Sequence, residues 1–213
     1  MRGLARPVRA LRLGRVEERR RQADRSEATR AKLVSVAREL FAKRGYAEVG
    51  TEEIVRKAKV TRGALYHHFE DKRDLFRAVH ERVEQELAER IGASLDPDDP
   101  PLELLERGMR TFLDACEQDP AVRQIALLDA PAVLGWREWR EVDAKYGMGL
   151  VVFGLRNAMD AGALERQPVE PLAHIMLGAL GEAALMIADA DDPAATRREV
   201  EVPLLGLLGG LRT

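Results

Sequence analysis

The side chains best suited to metal or nucleophilic chemistry in this 213-residue chain are four histidines and one cysteine. Two of them, His67 and His68, stand side by side in TRGALYHHFEDK, residues 61–72. Neighbours on a helix diverge by about 100°, so the pair cannot readily chelate one ion. No HExxH or CxxC occurs, no second histidine stands four residues on, and His80 and His174 lie in unrelated segments. Cys116 has no partner for an internal disulfide or a cysteine zinc site, which fits a reducing compartment; it reads as a small buried hydrophobe. No nucleophile has an adjacent base, and the GLLGG near the C-terminus lacks the strand that a phosphate-cradling loop requires. The expectation is no catalytic residue, no metal and no cofactor.

The cations of the same stretch point elsewhere. Arg62 follows Thr61, and Lys72 and Arg73 follow Asp71, each at a position expected to open a helix. Cations there oppose the positive end of the helix dipole, by up to ~1 kcal/mol each at low salt. A docking anion reverses that sign, because the same cations and the free backbone N–H groups then hold it. DNA phosphate is such an anion. The chain's net charge of −2 hides a division: residues 1–80 hold 21 Lys+Arg against 11 Asp+Glu, and residues 81–213 hold 13 against 25. A basic head for an anionic partner and an acidic body follow. Residues 1–25 carry nine arginines, three acids and no apolar run of signal-peptide length. They read as a basic, disordered leader, the sharper alternative being an arm that reaches DNA phosphates or a minor groove.

Helices must position these groups. From Ser26, apolar residues recur at Leu33, Val36, Ala37, Leu40 and Phe41, the pattern of a helix with one buried face. KRGY then offers a cationic last turn, Gly45 for a left-handed cap and Tyr46 to pack back. Thr51 starts a short helix with Ile54 and Ala58 inward, and Thr61 opens another with Leu65 and Phe69 inward. Asp71, with Asp74 three residues on, begins a long helix to about Ile91, which GASLDPDDPP breaks. Leu102, Leu105, Met109, Phe112 and Cys116 share a helix face, and Trp136, Trp139, Val142, Tyr146, Leu150 and Phe153 mark one face of a later helix. No strand-like alternation appears, so the fold class is all-α.

Two further helices close the chain. PLAHIMLGALGEAALMIADA is apolar on nearly all sides, yet His174, Glu182 and two glycines argue against a membrane span. A helix apolar all round must be covered, and the last helix, about Pro193 to Leu211, shares the excess. Pairing both across a two-fold axis gives a four-helix bundle, hence an expected homodimer through the last two helices.

The stretch Thr29–Val79 resembles the N-terminal DNA-binding domain of TetR-family transcriptional regulators: LF..RGY, a Thr before EEI, VTRGALYHHF and K..L occur in order and at family spacing. DAPAVLGW..WREVDAKYG resembles a subset of the family's ligand-binding and dimerisation domains. With the basic arm over 1–25 set apart by its composition, the resemblance implies a three-helix helix-turn-helix domain over 26–75 and a helical ligand-binding and dimerisation domain over 76–213. It implies a cytoplasmic homodimer that lays its third helix into the major groove of each half of a palindromic, double-stranded operator. By position, Thr51 and Thr61 cap helices at phosphates, and Arg62 reaches a base edge or the backbone. Gly63 and Ala64 permit close approach, His67 lies beside a groove edge, and Tyr66, His68 and Lys72 clamp the backbone.

Two positions depart from the family pattern. Lys59 replaces the usual turn glycine, where positive φ costs a side chain about 1 to 2 kcal/mol, so either the turn differs or Lys59 adds a phosphate contact. Val55 stands where alanine is common.

In the body, a small-molecule pocket is expected to shift the two heads relative to each other. The candidate lining is Met109, Phe112, Trp136, Trp139, Tyr146, Met148, Phe153 and Met176, with His174 and Glu182 as polar contributors, which favours a partly apolar effector. The reading is therefore a ligand-responsive DNA-binding repressor and not an enzyme. Its rivals are a protein-binding co-regulator on the same scaffold and an all-helical enzyme.

Overall fold

The structure, a computed structural model, describes the backbone of residues 6–212 and the side chains of residues 21–212. Part of the expected basic arm, residues 1–5 and the side chains through Arg20, lies outside the described residues. Helix α1 runs from Arg6 to Arg44, which corrects the start expected at Ser26. The added segment is rich in Arg, Leu, Glu and Ala, strong helix formers that propagate a helix without an apolar face.

The next elements are α2 (Thr51–Ala58), α3 (Arg62–His68), α4 (Lys72–Ser94) and α5 (Pro101–Gln118). A π-helical segment, Val122–Asp129, runs directly into α6 (Ala130–Leu134), followed by α7 (Trp136–Asp160), α8 (Val169–Ala188) and α9 (Pro193–Gly209). Among the described residues, extended pairing is limited to one antiparallel bridge, Leu164–Arg212, so the fold is all-α.

Local chemistry sets the head. Gly45, at φ 76°, ends α1 with its amide donating to the Phe41 carbonyl at 2.8 Å. A side chain is strained in that conformation and glycine is not. Tyr46 then folds back, its ring 5.8 Å from Phe41 and 5.1 Å from Phe76, so an aromatic trio fastens the end of α1 to the start of α4. Ile54 and Ala58 of α2 and Leu65 of α3 are fully buried against the α1 face formed by Leu33, Ala37 and Phe41. Thr51 does not cap α2: Gly50 occupies the cap position, and Thr51 is the first helical residue. Thr61 does cap α3, its hydroxyl accepting from the Ala64 amide at 3.1 Å. Asp71 caps α4 by accepting from Asp74 N at 2.7 Å, while the Asp74 carboxylate accepts from Glu70 N at 3.1 Å. Only the first of these is the capping-box bond; the Asp74 carboxylate reaches past the cap residue to the amide before it.

The departure at Lys59 has a definite outcome. Lys59 adopts φ 52°, ψ 47° as the left-handed cap of α2, with Val60 N donating to the Val55 carbonyl at 3.0 Å behind it. The turn keeps the geometry that favours glycine and carries the strain. Lys59→Gly is expected to raise unfolding free energy by about 1 kcal/mol, read as a shift of the urea midpoint at unchanged slope; a lower midpoint would show that Lys59 contributes something its backbone does not reveal.

Helix α4 reaches Ser94, one turn past the expected end, and serves both parts of the chain. The expected boundary at residue 75/76 thus falls inside it. In the body, α8 buries Leu172, Met176, Leu180, Ala184 and Ile187 among α5, α7 and α9. Its length and apolarity suffice to cross a membrane, yet half of its apolar window is buried inside this chain. The single face expected for α7 is corrected. Trp139 and Val142 are buried, whereas Trp136 is 66% and Phe153 60% exposed. Over the 17 positions between those two, a 3.6-residue period leaves them about 100° apart.

Candidate nucleic-acid interface and ligand cavity

The seven-residue α3 is held by its inner side. Leu65 is fully buried, Phe69 just beyond the helix is nearly so, and the Arg30 guanidinium lies 5.2 Å from the Phe69 ring centroid. That anchoring turns Thr61, Arg62, Gly63, Tyr66 and His67 to solvent, with Ala64 and His68 half-buried at the margins. Arg62 lies over the Tyr66 ring, 5.5 Å to its centroid, and its guanidinium is 3.5 Å from the Glu52 carboxylate, both groups largely exposed. A Cβ built on Gly63 would meet nothing nearer than the Thr61 hydroxyl at 3.9 Å, so this glycine leaves an open surface rather than filling a tight internal contact. The imidazoles of His67 and His68 are 5.1 Å apart and edge-on. Desolvation, then His67 and Arg30, lowers the His68 pKa, so its neutral form is favoured.

Lys72 is engaged within the chain. Its ammonium donates to the Tyr46 carbonyl at 2.5 Å and sits 4.0 Å from the Tyr46 ring centroid. Thr51 is half-buried at the start of α2. Two connections that the sequence reading missed tie this head to the body. Asp129, at the end of the π-helical segment, accepts from Tyr46 N at 2.7 Å and from Gln124 Nε2 at 3.1 Å. Arg73 donates to the Val133 and Leu134 carbonyls at 3.1 and 3.0 Å and to Glu138 at 2.6 Å, and Arg77 pairs with the same carboxylate at 3.0 Å. Arg73 thus bonds the free carbonyls that end α6.

A cavity of about 130 Å³ opens between α4, α5, α7, α8 and the π-helical segment. Of the expected lining, Met109, Phe112, Trp139, Tyr146, Phe153 and Met176 are in its wall. Trp139 is fixed by an indole N–H bond to the Ala126 carbonyl at 3.0 Å. Trp136 and His174 lie elsewhere. Trp136 lies in a separate surface groove beside Arg77 and Lys145, and His174 and Glu182 are exposed on the outer side of α8. Met148 also lies outside the wall, half-buried against the core.

Residues 33–79 match the bacterial regulatory proteins of the tetR family, and residues 102–211, more than half the chain, match the tetracyclin repressor-like C-terminal domain. The chain belongs to the TetR family. It is 30% identical over 163 residues to the transposon Tn10 TetC protein of Escherichia coli, an alignment covering 76% of this chain and 82% of that one. The crystal structure of a TetR-family transcriptional regulator from Pectobacterium atrosepticum superposes with a TM-score of 0.81 at 33% identity, covering 89% of this chain and 97% of that one. RolR in complex with resorcinol shares the fold, with a TM-score of 0.69 at 23% identity over 88% and 90% of the two chains.

In this TetR-family chain the cavity carries polar groups that the sequence reading passed over: Glu84, Arg140, Asp143 and Asn157. Burial, then the Asp143 charge, raises Glu84 to about 8. Burial raises Asp143 as well, with Arg140 acting against it. Burial alone lowers His80, one turn before Glu84, to about 4. Burial and then Glu84 push the Cys116 thiol far up, which keeps it protonated and unreactive.

These shifts set a pH dependence. Folded Glu84 keeps a proton that the unfolded chain has released above 4.5, so its contribution to stability is present at low pH and lost as pH rises toward 8. His80 runs the other way: its contribution is present above 6.5 and lost as pH falls toward 4. The two slopes oppose each other between 4.5 and 6.5, and from 6.5 to 8 only that of Glu84 remains. Stability is expected to fall by about 2 kcal/mol over that interval. Urea titrations at pH 6.5 and 8 measure it, and Glu84→Gln should flatten the decline; an equal decline in the variant would assign it elsewhere.

Proposed function

We propose that this TetR-family transcriptional regulator is a ligand-responsive repressor that acts in the cytoplasm as a homodimer on a palindromic operator. The observation that carries the reading is the division of α3. Leu65 and Phe69 anchor it in the core, and Thr61, Arg62, Gly63, Tyr66 and His67 share the open side. In this reading Arg62 and His67 reach base edges, and Gly63 and Ala64 let the backbone approach. Thr51, Thr61, Tyr66, His68 and Lys72 address phosphates; Lys72 does so from its seat on Tyr46.

Dimerisation through α8 and α9 is supported by their outer faces, where Ile175 is 68%, Met186 51%, Val202 73% and Leu207 58% exposed. Large apolar side chains clustered on two packed helices are covered when a second copy adds its own pair. The cavity is the effector site in this reading. Its wall includes Val122, Ala126 and Leu127 of the π-helical segment, whose far end, Asp129, holds the Tyr46 amide. An effector that favours one position of this segment therefore favours one position of the head.

The first test is a mobility shift with the DNA upstream of the chain's own gene, repeated with metabolite fractions. A shift that a fraction reverses supports the reading. A chain that binds no DNA but retains a protein partner is the co-regulator, and turnover of a fraction component without any shift is the enzyme.

A further inference from the structure

Carboxyls outnumber cations in the cavity wall. Its wall is largely apolar, with Leu87, Leu104, Met109 and Phe112 prominent, and it holds two carboxyls, Glu84 and Asp143, against one cation, Arg140. Arg140 is committed, its guanidinium bonding the Asp143 carboxylate at 3.1 Å. Glu84 is 8% exposed, and among the described residues it makes no hydrogen bond. His80 Nδ1 lies 3.9 Å from the Glu84 carboxyl, and among the described residues neither nitrogen of the fully buried His80 has a hydrogen-bond partner. A buried carboxyl facing a cavity without a partner is costly, and a ligand that brings a donor removes that cost.

We infer that the cavity takes a small, single-ring, mostly apolar ligand bearing one basic nitrogen, with Glu84 holding the cationic head and Asp143 beside it. The inference rests on the reading of this cavity as the effector site. Three observations select this class. A volume of about 130 Å³ matches a benzene-sized body. An anionic ligand would meet two carboxyls and an arginine already paired, whereas an ammonium pairs with Glu84 as a carboxylate, its proton passing to solvent on binding. The rings of Phe112, Tyr146 and Phe153 line the same space and attract a cation through their faces. A neutral hydroxyl would give Glu84 a hydrogen bond but no positive charge to hold its carboxylate form.

The experiment uses the full chain at pH 7 with three probes of one shape: benzylamine, benzyl alcohol and benzoate. Trp139, fixed in the wall, reports binding by fluorescence, and calorimetry gives the constants. Benzylamine is expected to bind at least tenfold more tightly than benzyl alcohol, with benzoate weakest. Glu84→Gln should remove the tenfold preference and leave benzyl alcohol unchanged, and Asp143→Asn should reduce the preference in part. Equal binding of the three, a reversed order, no binding of any probe, or a preference that survives Glu84→Gln would overturn the inference. The ranking in the unmodified chain decides the matter even if a variant does not fold. DNA release is read separately by mobility shift. Benzylamine bound without release sustains the amine site and overturns the effector reading; DNA released by other metabolites while benzylamine fails to bind does the reverse.

Discussion

Replacing both Arg62 and Tyr66 by alanine is expected to lower operator affinity by about 1,000-fold or more at physiological salt while leaving the melting of the chain within a degree or two. Each half of a dimer on its operator loses one cationic contact and one clamp, and single specific contacts of this kind are worth about 1–3 kcal/mol. Both side chains lie on the exposed side of α3 and touch little of their own chain beyond each other and Glu52. Stability should hold because Leu65 and Phe69, which anchor the helix, are untouched. The base preference is the sharper readout. Arg62→Ala alone should relax the preference at one position of each half-site. Lys72→Ala is the less clean variant, since its ammonium also bonds the Tyr46 carbonyl and its loss loosens the junction of α1 and α4. Unchanged affinity in the double variant would remove α3 from the interface.

The second large effect is expected at α8 and α9. Val202→Glu with Leu207→Glu should convert the dimer to a monomer at micromolar concentration by sedimentation, and should weaken operator binding by a further factor on the order of 100. An unpaired carboxylate desolvated in an apolar interface costs several kcal/mol, and two are introduced per subunit. The second half-site is then no longer bound at the high effective concentration that the dimer provides. Both positions are exposed in the single chain, so its fold should be unaffected. A stable dimer in this variant would place the subunit contact on another face.

The head was legible in the sequence because its signals are local. Gly45 ends α1, Thr61 and Asp71 cap the helices that follow, and Leu65 and Phe69 face inward, each determined by a few neighbouring residues. Thr51 was misread by one position, since Gly50 offers no side chain to mark the cap. The start of α1 was missed because Arg6–Arg25 form helix on propensity alone, and a search for an apolar stripe does not register that.

The cavity was half legible. Aromatic and methionine positions carry no sign of which side of a helix meets a void, so Met109, Phe112 and Trp139 were found together with Trp136, which is outside. The polar groups left a fainter mark. Glu84 sits between Val83 and Leu87 on the buried face of α4, a carboxyl where the period calls for an apolar residue. The contacts of Arg73 with the end of α6, some 60 residues away, had no local signature.

Sequence-specific binding of a two-fold operator by α3 is tested most directly by fluorescence anisotropy. The chain is titrated onto labelled DNA from upstream of its own gene and onto a scrambled duplex of equal length, at two salt concentrations. One dimer per site, two half-sites about one helical turn apart, and at least about 1,000-fold preference for the symmetric sequence over the scrambled one are expected. Equal affinity for both duplexes, or no binding to either, would contradict sequence-specific binding by α3.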